Sequence, residues 1–451
     1  MSGIIGIFGT PDAAELTWLG TYGGLQHRGK NGAGICSSDG QAFHFRRGQG
    51  CIFDVITHPE LTSLPGHAAI GQVGRGQAEP RVAELEKGAI AAVCNGKFTN
   101  AAELRKSLEQ TGAIFETNSD VELLMYLVAR SKGQDMIELL RSALSQVEGA
   151  YCLLLFTHDS LFAIRDPRGF YPLVIGRLSK EEGDIWVIAS ETCALDIIGA
   201  KTMEEGAEVK PGEVVKVDHF GLKRQELIPE KGLAMCTYER VYSTRPDSSI
   251  FGVPANKIRE NLGRRLAAEH PVVDADFVVP VPDSGTPAAI GYAEALDKPF
   301  RQGLIRNHYV GSIHIDPSQR DLALRTKYNP TTIVDGKVIV LVDDSLLLGQ
   351  TARVLIDMLK KTGAKEVHVR ISCPPTISTC YYGTDLPRTS ELIAINRNVS
   401  QIRDTIGADS LGFLSMNGLR MVVGDPDGAN GCYACWNAKY PIPVPLVQIQ
   451  S

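Results

Sequence analysis

The hydrophobic pattern divides the chain into two halves. The first, up to about residue 230, has short apolar runs separated by turns rich in Gly, Asp and Asn, which is typical of β-strands. Longer periodic stretches between them predict helices over 101–110, 120–131 and 135–147. The strands are predicted over 3–8, 90–94, 152–156, 162–165 and 186–189. We therefore expect an α+β half with stacked, mostly antiparallel sheets and helices outside.

From about residue 250, apolar strands alternate with helical patterns, which predicts βαβ units and a parallel sheet of the α/β class. The strands are predicted over 277–281, 338–342 and 367–372, and the helices over 286–296 and 352–361. Residues 307–335 are polar and show little periodicity. A stretch of this length without regular structure is more often functional than accidental, so we interpret it as a lid.

Composition and charge exclude some classes of function. The chain has 43% apolar and 22% charged residues, as in an ordinary globular protein, and its net charge of -6 argues against a nucleic-acid partner. No apolar run approaches the roughly 18 residues of a membrane span, and no signal peptide is recognisable. We expect a cytoplasmic protein without a membrane partner. The cysteines interpreted as small buried hydrophobic residues are Cys36, Cys51, Cys94, Cys152, Cys193 and Cys373.

The second predicted strand of the later half is followed by two acids, Asp343 and Asp344, and then by a turn with Ser345, Gly349 and Thr351 that opens a helix. A helix N-terminus directs N–H groups at an anion, and the acids would face sugar hydroxyls or Mg²⁺. An ordinary turn and capped helix has the same pattern, but open α/β sheets bind ligands at this end of their strands. The layout resembles the phosphoribosyl pyrophosphate (PRPP) loop of type I phosphoribosyltransferases.

A second loop of similar character follows the preceding strand. It contains Asp283, Ser284 and Gly285 and also leads into a helix. Alone it would be an unremarkable turn. Beside the first loop, at the ends of neighbouring strands, its hydroxyl and N–H groups could hold a pyrophosphate. A nucleophile between the two phosphate sites could then displace pyrophosphate, mainly through positioning and electrostatic stabilisation.

Four cysteines form a separate candidate site. Cys432 and Cys435 make a C-x-x-C near the end of the chain, and Cys236 and Cys380 lie elsewhere in polar or turn-like sequence. A redox pair or chance gives the same C-x-x-C spacing. Four thiolates could bind zinc or a [4Fe–4S] cluster, and spacing alone does not choose between these metals.

Together these features resemble the glutamine PRPP amidotransferase family over almost the whole chain. The segments that match the family's motifs are 26–29, 32–34, 95–96, 119–120, 165–169, 189–194, 211–213, 243–248, 282–284, 288–293, 342–345 and 381–383. Many motifs in the same order make the resemblance highly specific.

The resemblance implies the fold, the cofactors and the assembly. Residues 2–230 would form a class II glutamine amidotransferase-like domain, the αββα sandwich of N-terminal-nucleophile hydrolases. Residues 231–451 would form a type I phosphoribosyltransferase domain with a parallel sheet and a C-terminal cysteine-bearing segment. The four cysteines fall on the family's iron–sulfur ligands, which favours a structural [4Fe–4S] cluster over zinc. A homo-oligomer is implied by analogy.

The resemblance also implies a glutamine site, and there the chain departs from the family. Its matching residues are Ser2, Asn95, Gly96 and Asp120. Ser2 replaces the nucleophilic cysteine, and a hydroxyl is far less ionised than a thiol. Gly74 replaces the arginine that grips the glutamine carboxylate, which removes charge-assisted hydrogen bonds. Arg75, one place on, would point to the opposite face of a strand. We expect a degenerate site without useful glutaminase activity.

On the transferase side, Leu348 replaces an arginine of the family's loop, Gln350 replaces a threonine, and residues 311–314 lack a lid arginine. The residues implied in catalysis are Asp343 and Asp344, which also hold Mg²⁺, with Lys327 and Asn329 of the lid. The residues implied in PRPP binding are Asp283, Ser284, Ser345, Gly349, Gln350 and Thr351.

The leading hypothesis is a PRPP-dependent transferase that places ammonia or another small amine, supplied in solution or by a related enzyme subunit, at C1 of the ribose. Because Leu348 and residue 312 are changed, a non-catalytic paralogue that binds PRPP or a nucleotide and regulates a partner is the alternative. A third hypothesis is an amidohydrolase that uses Ser2 with its own amine as base once Met1 is removed.

Overall fold

The computed structural model describes residues 1–180, 183–308 and 320–444. The sequence prediction about 311–314, and the part of the predicted lid over 309–319, therefore lie outside the described residues. Described residues at the end of the predicted lid do have regular structure, contrary to that prediction. Arg320–Lys327 is a helix and Tyr328–Pro330 is a strand that pairs with Leu304–Arg306.

The first half is built on an antiparallel sheet whose central strand begins almost at the start of the chain. Its strands, in spatial order, are Lys201–Thr202, Val174–Lys180, Gly183–Ala189, Gly3–Phe8, Ala68–Gly74, Gly32–Ser38 and Phe43–Gly48. A second antiparallel sheet contains Gly221–Glu226, Glu213–Asp218, Leu161–Arg165, Gly149–Phe156, Gly88–Phe98 and Arg81–Leu85.

Alternation along the strands explains how these sheets pack. In Gly3–Phe8, Ile4 and Phe8 belong to the core between the sheets, whereas Ile5 and Ile7 pack against the outer helices. This is the period of two expected when both faces of a sheet are buried. The helices of this half are Ala13–Leu19, Gly20–Leu25, Ile52–Val55, Ala101–Glu109, Asp120–Arg130, Met136–Leu144 and Thr192–Ile197. The αββα sandwich is confirmed.

The second half contains the predicted parallel sheet. Its strands, in spatial order, are Phe277–Pro280, Val338–Asp343, Glu366–Ile371 and Ser410–Phe413. The helices are Glu239–Ser243, Ala255–Glu269, Thr286–Ala295, Gln350–Lys361, Val399–Ile406, Met416–Val422 and Ala434–Asn437. Because Phe277–Pro280 and Val338–Asp343 are direct neighbours, the two predicted ligand loops do emerge side by side.

Short strand pairs complete the second half. Met235–Cys236 pairs in parallel with Gly431–Cys432, and Ser249–Ile250 pairs with Val253–Pro254. All ten cysteines lie in described residues and carry free thiols. The cysteines interpreted as buried hydrophobic residues are buried except Cys51, which is partly exposed. No helix in the described residues has both the length and the apolar character needed to cross a membrane.

A buried arginine joins the two halves. Arg28 donates from Nη1 to Glu191 at 2.5 Å and from Nη2 to Glu239 at 2.5 Å, and all three side chains are inaccessible to solvent. Burial opposes ionisation of Glu191, but His27 and Arg28 outweigh it and hold the pKa of this carboxyl well below its usual range. Arg28 therefore acts as a structural bridge between the domains.

Candidate functional site

A cavity of about 380 Å³ lies at the carboxyl ends of Phe277–Pro280 and Val338–Asp343. This is the edge at which open α/β sheets bind ligands. The residues that line it are Met1, Arg75, Tyr238, Tyr242, Ser243, Val281, Ser284, Tyr328, Asp343, Asp344, Ser345, Leu346, Leu347, Leu348, Gly349, Thr351, Ala352, Thr384, Asp385 and Pro387. Both halves of the chain contribute to the cavity, because Met1 and Arg75 come from the first.

The adjacent acids lie at the floor of this cavity. Asp343 ends its strand, and its Oδ1 accepts a hydrogen bond from the backbone nitrogen of Asp344 at 2.9 Å. Burial and the Asp344 carboxylate raise the pKa of Asp343 well above its ordinary value. Burial also raises the pKa of Asp344, although hydrogen bonds from Ser284 and Ser345 favour its ionised form. Two carboxylates confined in this way favour a cation or sugar hydroxyls as partners.

Gly349 shapes the loop above the acids. Its φ is +77°, and a Cβ at this position would lie 2.3 Å from Cδ1 of Ile393. Only glycine adopts this positive φ without strain and leaves room for the Ile393 side chain. The helix Gln350–Lys361 begins directly after it, with Thr351 in the cavity wall. The start of this helix therefore faces the cavity with the positive end of its dipole, as an anion requires.

The second loop contributes unevenly to the cavity. Ser284 lines it and hydrogen-bonds Asp344. Asp283 is exposed, forms an ion pair with Arg306 and is not part of the described lining.

Besides Asp283, three residues assigned to PRPP or catalysis from sequence do not line the cavity. Gln350 donates from Nε2 to Asp321 at 3.0 Å, and Asn329 is exposed on a strand. Lys327 lies over the ring of Tyr328, with 5.0 Å from its Nζ to the ring centroid. Burial, together with the charge of Arg306, lowers the pKa of Lys327.

Of the residues of the predicted glutamine site, Asn95 contacts Ser2 directly, and Gly96 and Asp120 belong to or hydrogen-bond the same strand, Gly88–Phe98. The backbone nitrogen of Ser2 donates to Oδ1 of Asn95 at 2.9 Å. Gly96 has a φ of +131°, and a Cβ there would lie 2.0 Å from the carbonyl oxygen of Ala150. Asp120 accepts from the backbone nitrogen of Phe98 at 2.9 Å.

Sequence reasoning missed Glu79, which fills this region with a buried acid. Its carboxylate accepts from Gln72 Nε2 and the backbone nitrogen of Cys94, each at 2.9 Å, and from Ser119 Oγ at 2.8 Å. Gln72 also donates to Ser2 Oγ at 3.4 Å. Burial raises the pKa of Glu79 to about 7. In the sequence, Glu79 is visible as an acid close to Gly74. Nothing in the local pattern indicates that its side chain is buried.

Gly74 and Arg75 lie where the resemblance predicts the loss of a carboxylate-binding cation. A Cβ at Gly74 would lie 2.8 Å from Ser2 Oγ, so this position faces Ser2. Arg75 follows the end of the strand Ala68–Gly74, so strand alternation does not set its direction, and the sequence did not reveal its destination. Its Nη1 donates to Oδ2 of Asp385 at 2.5 Å in the wall of the transferase cavity.

The structure places two of the four candidate metal ligands side by side. Cys236 and Cys432 are register partners on adjacent strands, and both are buried. Burial, and then the neighbouring thiols of Cys380, Cys432 and Cys236, raise the pKa of Cys435. No group of three or more His, Cys, Asp or Glu side chains within the described ranges is spaced to hold a metal ion.

Comparison with known domain families divides the chain as the fold does. A glutamine amidotransferase domain family matches residues 69–196, and a phosphoribosyl transferase domain family matches residues 255–379.

Curated relatives are similar over nearly the whole chain. The amidophosphoribosyltransferase of Bacillus subtilis is 40% identical, over 97% of this chain and 94% of its own length. That of Methanocaldococcus jannaschii is 42% identical, over 100% of this chain and 99% of its own. The chloroplastic amidophosphoribosyltransferase of Glycine max is 43% identical, over 98% of this chain and 78% of its own length.

Two solved structures are also similar over nearly the whole chain. The glutamine PRPP amidotransferase of B. subtilis, complexed with ADP and GMP, has a TM-score of 0.92 and 39% identity, covering 98% of each chain. A structure described as the allosteric regulatory enzyme of purine biosynthesis also has a TM-score of 0.92 at 39% identity, covering 98% of this chain and 97% of its own.

Proposed function

Because the chain belongs to the amidophosphoribosyltransferase family, we propose that it is a pentosyltransferase of purine biosynthesis that acts on PRPP with an amine other than glutamine-derived ammonia. The amine, either ammonia or another small amine, attacks C1 of the ribose. The bond from C1 to the pyrophosphate oxygen breaks, pyrophosphate leaves with the bonding electron pair, and the attacking nitrogen loses a proton to solvent.

The observation that carries the transferase proposal is the cavity in which Asp343 and Asp344 lie beside the start of a helix. The two acids would hold the ribose hydroxyls or a Mg²⁺ ion, which would neutralise phosphate charge. The backbone and hydroxyl groups of the loop from Ser345 to Thr351 would bind the 5-phosphate. Ser284 would contact the pyrophosphate from the neighbouring loop. Asp283, Lys327, Asn329 and Gln350 would need to move to reach the substrate.

The loss of glutaminase is supported by the surroundings of Ser2. A glutamine carboxylate needs a cation, but Gly74 supplies none, and the buried Glu79 carboxylate accepts from the same Gln72 amide that donates to Ser2. In its ionised form Glu79 repels an anion brought next to it. Ammonia would then come from solution or from a partner subunit.

A [4Fe–4S] cluster is proposed at Cys236, Cys380, Cys432 and Cys435. All four thiols are free, and all except that of Cys380 are buried. Four cysteines can bind either zinc or a [4Fe–4S] cluster, and it is the resemblance to the family that favours the cluster. In this position it would hold the C-terminal segment against the domain.

The test is a coupled assay of pyrophosphate release from Mg–PRPP, run with ammonium chloride, with a panel of primary amines and with glutamine. We expect release with ammonium or another amine and none above background with glutamine. Glutamine-driven release as fast as that with ammonium would contradict the altered amine source. Absence of PRPP binding in calorimetry would contradict the transferase proposal itself.

A non-catalytic regulatory role is the second candidate, and the position of Leu348 favours it. Leu348 lines the cavity where the family carries a cation, which weakens the stabilisation of a departing pyrophosphate. PRPP binding without pyrophosphate release under any amine would support this role. A homo-oligomer and a cytoplasmic location also belong to the proposal, and light scattering and cell fractionation test them.

A further inference from the structure

The transferase cavity has an unbalanced set of charges. Asp343, Asp344 and Asp385 contribute three carboxyl groups to its wall. Among the described lining residues, Arg75 is the only lysine or arginine. PRPP carries several phosphate charges, and a site that binds it needs positive charge beyond a Mg²⁺ ion and helix amides.

Arg75 reaches the cavity from the other domain. It follows the end of the strand Ala68–Gly74, and its Nη1 donates to Asp385 Oδ2 at 2.5 Å, across 310 residues of sequence. The side chains are 45% and 59% exposed. An ion pair this exposed contributes little to stability, so a more highly charged anion can compete for the guanidinium.

The charge of Arg75 affects the pKa of a side chain in the cavity wall. Burial, and then Asp344, raise the pKa of Tyr242, and Arg75 opposes that shift. Tyr242 lines the same wall. The Arg75 guanidinium and the acid pair therefore shift the pKa of the same cavity residue, Tyr242, in opposite senses.

We propose that Arg75 is a substrate-binding residue of the transferase cavity and that a phosphorylated ligand displaces Asp385 from it. The planar guanidinium suits bidentate contact with phosphate oxygens. Asp385 holds the side chain in place in the empty cavity and competes with the substrate. The inference rests on the proposed function, because PRPP is the ligand. It makes the first domain, which has lost its own carboxylate-binding arginine, part of the transferase site.

Isothermal titration calorimetry with Mg–PRPP at constant ionic strength tests this on the full-length protein. We expect R75A to weaken binding roughly tenfold to a hundredfold and R75K to lie between R75A and wild type. D385N removes the competitor and should bind more tightly than wild type. The dependence of binding on salt should be weaker in R75A, because one phosphate contact is lost.

R177A is the matched control. Arg177 forms an exposed ion pair with Asp184 in the same domain, at 3.0 Å with half of its side chain accessible, and does not line the cavity. The R177A variant should bind PRPP as tightly as wild type does. Circular dichroism checks that every variant is folded.

The outcomes separate the inference from the function it rests on. If wild type binds PRPP but R75A binds equally well, or D385N binds no more tightly than wild type, the role of Arg75 is overturned while the transferase proposal stands. If wild type does not bind PRPP, both fail together.

Discussion

Asn95 and Ser2 are joined by a hydrogen bond of 2.9 Å from the Ser2 backbone nitrogen to the Asn95 side-chain oxygen. The other end of the same amide, Nδ2 of Asn95, is fully buried and has no partner among the described residues. A buried N–H without an acceptor costs free energy unless a ligand oxygen satisfies it. The surroundings of Ser2 thus keep a donor suited to an oxyanion.

Restoring the nucleophile alone should not restore glutamine hydrolysis. We expect Ser2→Cys to release glutamate at least about a hundredfold more slowly than the B. subtilis relative, because a thiol does not replace a bidentate carboxylate contact. Glutamate production is measured after mass spectrometry has established whether Met1 is present. Hydrolysis by the variant at a rate close to that of the relative would show that Gly74 and Glu79 do not matter.

Glu79 should make stability depend on pH. Its pKa is about 7 in the folded chain against an ordinary value of 4.5, so between these values the folded state holds a proton that the unfolded chain has lost. The contribution of Glu79 to the free energy of unfolding is fully present below about pH 4.5 and is lost as the pH rises through about 7. Glu79→Gln should therefore gain up to about 3 kcal/mol relative to wild type between about pH 5 and about pH 8.

Urea unfolding at a series of pH values measures this change. Glu86→Gln is the control, because Glu86 is exposed. It should follow the wild-type pH profile. Parallel profiles for Glu79→Gln and wild type would mean that Glu79 is not perturbed.

Gly349→Ala should combine backbone strain with a steric clash. Gly407 has nearly the same φ, +76° against +77°, but a Cβ there meets nothing within 4 Å, whereas one at Gly349 meets Ile393. We expect Gly407→Ala to cost about 1 kcal/mol of unfolding free energy and Gly349→Ala about 2–4 kcal/mol. Only Gly349→Ala should also weaken PRPP binding. Equal costs for the two variants would rule out a tightly packed loop.

Arg28→Met should destabilise the protein strongly. It leaves the buried carboxylates of Glu191 and Glu239 without a counter-charge, a change that typically costs about 3–5 kcal/mol. Chemical denaturation measures the loss. Arg177→Met breaks an exposed pair and should change the unfolding free energy by less than about 1 kcal/mol. A small effect of Arg28→Met would mean that this bridge does not hold the halves together.

Iron analysis should settle the identity of the metal. Protein purified without oxygen should contain about four iron and four sulfide per chain, with the visible absorption of an iron–sulfur cluster. Cys435→Ser should lose both, and Cys51→Ser, at a partly exposed thiol outside the group, should keep both. Stoichiometric zinc without iron would contradict the cluster.

Local patterns predicted the elements closely. The strand predicted over 338–342 is Val338–Asp343, and the helix predicted over 352–361 is Gln350–Lys361. These predictions succeed because alternation and helical periodicity are properties of neighbouring residues. The helix Arg320–Lys327 was missed because its mostly polar sequence gives little apolar periodicity.

Some of the segments that match the family's motifs make buried polar contacts within the fold. Arg28 of the segment at 26–29 and Glu191 of the segment at 189–194 meet in a buried ion pair. Ser248 of the segment at 243–248 donates to the same Glu191 carboxylate at 2.9 Å. Short motifs do not reveal whether a charge faces a ligand or another charge.

The sequence by itself determined the two domains, the family and the loops that carry the acids, because each is encoded in contiguous residues. The tertiary structure decided that Arg75 meets Asp385 in the transferase cavity, and that the buried Glu79 shares the Gln72 amide with Ser2. Both facts depend on segments that are distant along the chain. Which charges share a cavity is set by the packing of the domains, and no local periodicity contains that information.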